Sequence, residues 1–351
     1  MAKTLVGLEI TEESVRGLEM TMGRSPSLVA VGEVPLPREA ARDSEVLDQD
    51  AVALALRQLW AASGFKGKSV TLGVGSRRIL VREYTTQAMP PQLLKQALPY
   101  QVQDLLPVPV SQAVLDFYPA SQIGDQVSGL LVAAVSENIE QMIETLGRAK
   151  VRVDRVDLVP FGLARIAKGL ARPGETVAMI HLGDHTSFVG VVTDGVPHFV
   201  RIIPVEIATA AALRVEAGAI EPEPSEEEVL EHVGASGIIP RRAGDVTGTR
   251  ASLRGGPAPT APAVADLVSR LRSTVSFFQG RDGGTRISRA LISGAGYNAD
   301  GVADAIERAF DIPVAPVRLE QILNTQGRPL ADDLAFNAVA TAGVLLGQGA
   351  K

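Results

Sequence analysis

Cysteine is absent from the 351-residue chain, and only four histidines are present. The lack of cysteine excludes disulfides, thiolate zinc sites, iron–sulfur clusters and thiol catalysis, and a metal site would have to be built mainly from carboxylates. Aromatic residues make up only 4% of the chain, so we expect an aliphatic core. Lys and Arg number 34 against 40 Asp and Glu, which gives a net charge of -6. This balance lacks the basic excess typical of nucleic-acid binders, and we expect no nucleic-acid partner.

Long hydrophobic runs are also missing. The longest apolar stretches, such as residues 130–135 and 177–180, have the length of a strand and fall far below the ~20 apolar residues of a membrane-spanning helix. The first residues lead directly into a strand pattern, without the segments of a secretion signal. We therefore expect a cytoplasmic protein that does not insert into a membrane and reaches one only through a partner.

Two strand–turn–strand patterns resemble each other. Apolar residues alternate on both sides of a short polar break at residues 11–13, and again on both sides of residues 184–186. Such alternation predicts β-hairpins with tight tips, over residues 5–20 and 177–193. The pair indicates an internal repeat. Asp194-Gly195 then predicts a two-residue turn into a further strand at 196–202.

The remaining patterns predict both helices and strands. Strands are expected at residues 68–74, 78–84, 113–117, 129–134 and 289–292, with a last strand containing Pro313. Helices are expected at residues 50–62, 92–106, 136–146, 161–170, 264–278, 300–310 and 333–346. Asp50 and Ser136 are the expected N-caps, and Pro99 should kink or split its helix. The order helix, strand, strand, helix between residues 84 and 150 predicts a small inserted α/β module.

Two segments of the second half have the composition of exposed chain. Residues 221–231 are rich in glutamate and are interpreted as a solvated surface. Residues 241–263 are rich in Gly, Pro and Thr and show no periodicity, which predicts a flexible loop.

The hairpin tips suggest phosphate binding. A tight tip turns successive backbone N–H groups toward one point, and such concavities bind anions, so two facing tips could clamp a polyphosphate. A third element, Ser293-Gly294-Ala295-Gly296, lies between a strand and a helix, where glycine lets the backbone approach a ligand closely. Alone it is more typical of an ordinary strand-to-helix turn than of a ligand site; the order of the elements is what indicates function.

In this order the chain resembles the actin-like ATPase superfamily and, within it, the PilM family of type IV pilus assembly proteins. The first phosphate motif is similar to Gly7-Leu8-Glu9-Ile10 with Ser14-Val15-Arg16, and the second to His181-Leu182-Gly183-Asp184-His185-Thr186. The adenosine motif is similar to Ile292-Ser293-Gly294-Ala295-Gly296. Resemblance to PilM in particular lies at Leu106-Pro107-Val108-Pro109, Val114-Leu115-Asp116-Phe117 and Asp157-Leu158-Val159-Pro160-Phe161.

The resemblance implies an α/β actin-like ATPase fold, with two ribonuclease-H-like lobes flanking a cleft. It places the first lobe at residues 1–83 and 158–175, an inserted α/β subdomain at 84–157 and the second lobe at 176–324. The second lobe would include the loop at about 240–263, and a C-terminal helix at 325–351 would return to the first lobe. ATP with magnesium is the cofactor that the resemblance implies, held by Gly7, Thr11, Ser14, Gly183, Asp184, Thr186, Ser293, Gly294 and Gly296.

Departures from the family motifs argue against catalysis. Glu9 stands where the family has aspartate, and Thr11 stands at the turn glycine, where its Cβ is expected to crowd a tight tip. His181 stands where an aspartate organises magnesium, and neutral imidazole does not suit that hard cation. Asp184 is either a turn residue or a substitute ligand to a magnesium-bound water, the turn being favoured. We therefore expect no catalytic residues, no protein-ligated metal and a degenerate cleft with weak or absent hydrolysis.

Three other residues have structural interpretations. His181 is expected to be a strand-end or core histidine, Arg16 to lie on a solvated strand face, and Thr186 either to begin a strand or to offer its hydroxyl to a phosphate.

The implied function is a cytoplasmic scaffold of the pilus machine, peripheral to the inner membrane. It would dock the cytoplasmic tail of a PilN-like inner-membrane protein in a groove between module and first lobe, with Leu94, Leu98 and Leu105 as candidate lining. Other pilus assembly proteins and a homo-oligomer are further partners that the resemblance allows. The alternatives are an active ATPase or small-molecule kinase, which needs intact magnesium carboxylates, and an FtsA- or MreB-like membrane filament, which needs an amphipathic terminal helix.

Overall fold

The computed structural model describes residues 3–23, 25–183, 185–204, 207, 209, 261–281 and 285–347. Its strands, in chain order, are β1 Thr4–Ile10, β2 Ser14–Thr21, β3 Leu28–Pro35, β4 Ala41–Arg42, β5 Glu45–Val46, β6 Ser69–Val74, β7 Leu80–Gln87, β8 Ala113–Ile123, β9 Gln126–Val135, β10 Arg152–Leu158, β11 Thr176–Leu182, β12 Thr186–Thr193, β13 Val196–Pro204, β14 Arg289–Ser293 and β15 Val314–Pro316. Its α-helices are α1 Gln49–Ser63, α2 Pro91–Val102, α3 Ser136–Arg148, α4 Val159–Leu170, α5 Ala261–Gln279, α6 Val302–Ala309 and α7 Asp332–Leu345.

Two five-stranded sheets repeat one topology. The first has the order β10-β6-β1-β2-β3 and the second, read from its other edge, the order β15-β14-β11-β12-β13. In both sheets, the first strand of a hairpin (β1 or β11) pairs in parallel with a later strand (β6 or β14). The second strand of the hairpin (β2 or β12) pairs antiparallel with the strand that follows it in the chain (β3 or β13). The duplicated hairpin predicted from the alternation is therefore confirmed.

A separate three-stranded antiparallel sheet, ordered β7-β9-β8, forms the inserted module. Helix α2 covers one face of this sheet through Leu98 and Val102, which bury Leu131. Helix α2 runs through Pro99 as one helix and ends three residues later, where a 3-10 turn at Gln103–Leu105 follows. Helix α3 packs outside this small core, since its Met142 and Leu146 lie in the core of the first lobe.

Two expected helix caps are wrong. Asp48, not Asp50, caps α1, because its Oδ1 accepts hydrogen bonds at 3.0 Å from the backbone N–H groups of Asp50 and Ala51. Ser136 is the first residue of α3 and makes no capping hydrogen bond. Strand β9 runs directly into α3, so the last strand residue, Val135, occupies the cap position in an extended conformation.

Several other expectations need adjustment. Strands β3 and β10 and the short pair β4–β5 were not predicted. Helix α5 begins at Ala261, so the last three residues of the predicted loop 241–263 are helical; the rest of that loop and residues 221–231 lie outside the described residues. Among the described residues, no helix has the length and apolar character needed to cross a membrane.

Helices α4 and α7 cross in the space between the two sheets. Most of α7 is buried, and a common cluster joins it to α4, to the first sheet through Leu18 and to the second sheet through Val177. The crossing is close because both helices have a glycine there: a Cβ on Gly162 would lie 2.8 Å from the carbonyl carbon of Gly343. A backbone-to-backbone approach of this kind leaves no room for any side chain.

The crossing predicts opposite effects for two alanine substitutions on α4. We expect Gly162→Ala to lower the free energy of unfolding by about 1–3 kcal/mol, the usual cost of overpacking. Gly169→Ala is the matched control, because no atom lies within 4 Å of its added Cβ. It should raise the free energy of unfolding by roughly 0.5 kcal/mol through helix propensity. Urea unfolding monitored by circular dichroism measures both, and equal effects would contradict the close crossing.

Candidate functional site

The tips of the two hairpins face each other across a cavity between the lobes. Thr11, Glu12 and Glu13 line it from the β1–β2 tip, and Gly183, His185 and Thr186 from the β11–β12 tip. Its volume is about 40 Å³. Since one water needs on the order of 10–15 Å³ by the same measure, this space suits a few waters.

The first tip is closed by its own side chains. The Thr11 N–H donates to the Ser14 carbonyl at 2.9 Å, and the Ser14 N–H donates to Thr11 Oγ1 at 3.1 Å. Thr11 does not have a positive φ, so this turn does not require glycine. The expected crowding by its Cβ is therefore wrong, and the Thr11 hydroxyl is engaged within the hairpin.

Arg16 is buried beside the cavity, so its expected place on a solvated strand face is wrong. Its Nη2 lies 2.8 Å from Glu33 Oε1, which also accepts a 2.7 Å hydrogen bond from the Ser14 hydroxyl. Only 3% of the Arg16 side chain is exposed. The residue lies where the second lobe covers the first, a feature that strand alternation does not reveal.

Glu9 is a buried carboxyl tied to α7. Thr341 Oγ1 donates a 2.5 Å hydrogen bond to Glu9 Oε1. Burial raises the pKa of Glu9 above its ordinary 4.5, against the opposing effect of Arg16. On the same strand, Gly7 has a packing role, because a Cβ there would lie 2.9 Å from the Thr341 carbonyl oxygen.

His181 is buried in the second lobe at the end of β11, in keeping with its structural interpretation. Its Nδ1 lies 2.9 Å from Ser293 Oγ. Burial, together with the nearby charge of Arg16, lowers the pKa of His181 to about 3, so the imidazole is neutral at physiological pH. A neutral imidazole with one nitrogen engaged is a poor magnesium ligand.

The acidic side chains of the first tip are already held by protein groups. Glu13, only 3% exposed, contacts His185 Nδ1 and so joins the two tips directly. Glu12 Oε2 accepts a 3.0 Å hydrogen bond from the Asp43 N–H. Both glutamates line the cavity, so these two acidic side chains already have protein partners there.

The glycine turn packs against the end of β11. Gly294 has a φ of 90°, and a Cβ there would lie 2.2 Å from the Leu182 carbonyl oxygen, so glycine is required. A Cβ on Gly296 would lie 3.0 Å from Leu182. Asn337 of α7 accepts a 2.7 Å hydrogen bond from the Ala295 N–H and also lines the cavity.

The structure therefore separates the predicted binding residues. Thr11, Gly183 and Thr186 line the cavity. Those that do not line it are Gly7, Ser14, Ser293, Gly294 and Gly296. Asp184 lies outside the described residues. The cavity also involves Arg16, Val159 and Asn337, which sequence reasoning missed; a lone asparagine in an Ala-rich helix was the available signal.

The three leucines predicted to line a groove lie within the inserted module. Leu98 is 3% exposed in its core, and Leu94 and Leu105 pack against that core. Their role in binding a partner stays a prediction.

The residues around the cavity do not fit ATP and magnesium in this arrangement. The space is small, four carboxylates (Glu9, Glu12, Glu13 and Asp43) line it, and its arginine is paired with Glu33. Among the described residues, no group of three or more His, Asp or Glu has the arrangement to hold a metal ion.

Two lobes of one repeated topology, with facing hairpins and a cleft between them, define an actin-like ATPase fold. The family model described as "Type IV pilus assembly protein PilM" matches residues 7–202, more than half of the chain. The chain belongs to the PilM family.

A solved structure from the same family shows the same fold, and other solved structures are similar at lower scores. A structure titled "PilM-PilN type IV pilus biogenesis complex" is matched with a TM-score of 0.75 and 19% identity, over 97% of both chains. EutJ, an ethanolamine utilization protein from Carboxydothermus hydrogenoformans, is matched with a TM-score of 0.49 and 12% identity, over 98% of this chain and 89% of that one. The cytoplasmic domain of EpsL, an inner-membrane component of the Vibrio cholerae type II secretion system, is matched with a TM-score of 0.41 and 13% identity, over 63% and 76%. No curated protein sequence matches the chain.

The buried Glu9 carboxyl predicts a pH-dependent stability difference. Because its pKa is raised above 4.5 in the folded protein, stability is lost as the pH rises through the raised pKa. Glu9→Gln lacks this ionisation but keeps an acceptor for Thr341. We expect the variant to have the higher thermal midpoint at about pH 8 and the gap to narrow toward about pH 4.

A matched control is Glu33→Gln, which should lower the midpoint at neutral pH, because Arg16 stays buried without its paired carboxylate. A Glu9→Gln variant that is less stable than the parent across the whole pH range would contradict this interpretation.

Proposed function

We propose that this protein is a cytoplasmic scaffold of the type IV pilus assembly machine that docks the cytoplasmic tail of a PilN-like inner-membrane protein. The observation that carries the proposal is the match over 97% of both chains to a PilM–PilN complex structure, with a TM-score of 0.75. Membership of the PilM family supports the same role. Association with other pilus assembly proteins, residence beside the inner membrane and self-association belong to this proposal.

A groove suited to a peptide lies where the inserted module meets both lobes. It has a volume of about 560 Å³, within the range of ligand pockets, ~300–1,000 Å³. Its lining is mainly apolar and comes from the start of β7, the loop before β8 and the end of β13: Ile79, Leu80, Val81, Val108, Val200 and Ile202. We propose this groove as the site of the tail.

The backbone around the groove suits an extended peptide. Strand β7 is at the edge of the module sheet and β13 at the edge of the second-lobe sheet, and within the described residues each pairs with a neighbour on one side only. Edge strands present main-chain donors and acceptors to an added strand, while pockets for alternate side chains fix its register.

The cleft is proposed to serve as a fixed joint between the lobes rather than as a site of hydrolysis. Thr11, Glu13 and Arg16 are all engaged with other protein groups, and His181 is held neutral. A phosphate about 4 Å from an unscreened carboxylate would meet a repulsion on the order of 4 kcal/mol at an effective dielectric near 20. An active ATPase or kinase would have to rearrange these contacts.

The groove yields a test of tail docking. We expect a peptide with the cytoplasmic-tail sequence of the PilN-like protein to bind the isolated protein in titration calorimetry. Val108→Arg should weaken binding by about 1–2 kcal/mol, because it places a charge on the apolar lining. Val114→Arg is the matched control, since Val114 is 50% exposed on β8 and is not part of the lining. The absence of binding by the unmodified protein would overturn the proposal.

The cleft yields a second test. We expect titration with a fluorescent ATP analogue to show no magnesium-dependent tight binding, and phosphate release from ATP to stay at the level of a buffer blank. Glu13→Ala removes the contact between the hairpin tips and should raise nucleotide affinity if that contact closes the cleft. Tight, magnesium-dependent binding by the unmodified protein would contradict the fixed joint.

A further inference from the structure

The charged residues around the tail groove are all of one sign. Arg77, Arg78 and Arg201 line it, and no aspartate or glutamate is part of its lining. The groove is therefore apolar along its length with a cationic margin, although the chain as a whole carries a net charge of -6.

Two of these arginines are neutralised by the first lobe. Arg77 Nε lies 2.8 Å from Asp43 Oδ1, and Arg78 Nη1 lies 2.9 Å from Glu45 Oε2. Both carboxylate side chains are only 10% exposed, so they are built into the lobe and hold the arginines in place.

Arg201 differs from the other two. It is exposed on the edge strand β13, and no carboxylate oxygen of the described residues lies within the 4.0 Å of an ion pair. Its Nη1 is 3.4 Å from the hydroxyl of buried Thr274 on α5, a contact that directs the guanidinium without compensating its charge. Arg201 is thus the groove's uncompensated positive charge in the described part of the chain.

The position of Arg201 within β13 specifies where a complementary charge would lie. Strand side chains alternate between faces, so Val200 and Ile202 project to the face opposite Arg201. Both of these neighbours pack against the apolar core of the first lobe. A peptide strand paired with β13 would place its side chains on the same two faces, with directly opposed residues in contact.

We propose that the groove selects an extended peptide in which an acidic residue, flanked on both sides by apolar residues, pairs with Arg201. This inference rests on the proposed function and adds the chemistry of the ligand: main-chain pairing supplies affinity, and the carboxylate opposite Arg201 fixes the register. A cationic residue at that position of the peptide would be rejected by like-charge repulsion.

The test uses calorimetry of the full chain with the tail peptide of the PilN-like protein. Arg201→Glu should weaken peptide binding by roughly tenfold. Binding by the parent should weaken as salt is added, because ions screen charge pairs at the rim of an interface, and binding by the variant should lose this salt dependence. Arg57→Glu, at an exposed position on α1 outside the groove, makes the same change in net charge and should bind like the parent. Thermal midpoints of both variants monitor folding.

A charge swap completes the design. A peptide in which the acidic residue is replaced by lysine should bind the parent protein weakly. The same peptide should bind the Arg201→Glu variant at least as tightly as it binds the parent. The proposed charge pairing is wrong if the parent and the Arg201→Glu variant bind the peptide equally well, or if a tail that binds contains no acidic residue. In both cases, docking of the tail in the groove is still supported. If the parent binds no tail peptide, the proposed function itself fails.

Discussion

The crossing of α4 and α7 at Gly162 and Gly343 is the contact on which the rest of the structure depends. It brings α7 close enough to both sheets for Thr341 to reach Glu9 in one lobe and for Asn337 to reach the glycine turn in the other. Helix α7 thereby contacts both lobes close to their hairpins. The cavity between the tips is therefore a product of helix packing as much as of the motifs that line it.

The polar groups around this cavity form a set of mutually satisfied partners. Buried charges and hydroxyls are costly unless they are hydrogen-bonded, and here they bond to one another. Arg16 with Glu33 and Glu13 with His185 are the clearest cases. A site that binds and releases a charged ligand keeps some of its polar groups available to that ligand. Of the two pairs, Glu13 with His185 joins the hairpin tips of the two lobes, whereas Arg16 and Glu33 pair within the first sheet.

Local patterns in the sequence predicted the features that depend on local chemistry. The two hairpins, the buried stripe of α5 and the turn at Asp194-Gly195 follow from alternation, helical spacing and turn preference, and the structure confirms them. Strand β3 was missed because no two-residue turn marks its start, although its counterpart β13 in the repeat was predicted. The burial of Arg16 and the packing role of Gly7 were missed because both depend on contact with segments more than a hundred residues away. The division of the chain into lobes and subdomain remains a prediction in its boundaries.

The inserted module leaves and rejoins the first lobe at nearly the same place. Leu80, near the start of β7, lies opposite Ala133, near the end of β9, so the ends of the insertion are adjacent strands of one small sheet. An excursion with neighbouring ends disturbs no hydrogen-bonding register in the lobe from which it emerges. The unit can therefore change in length while the hydrogen bonding of the duplicated framework beneath it stays intact.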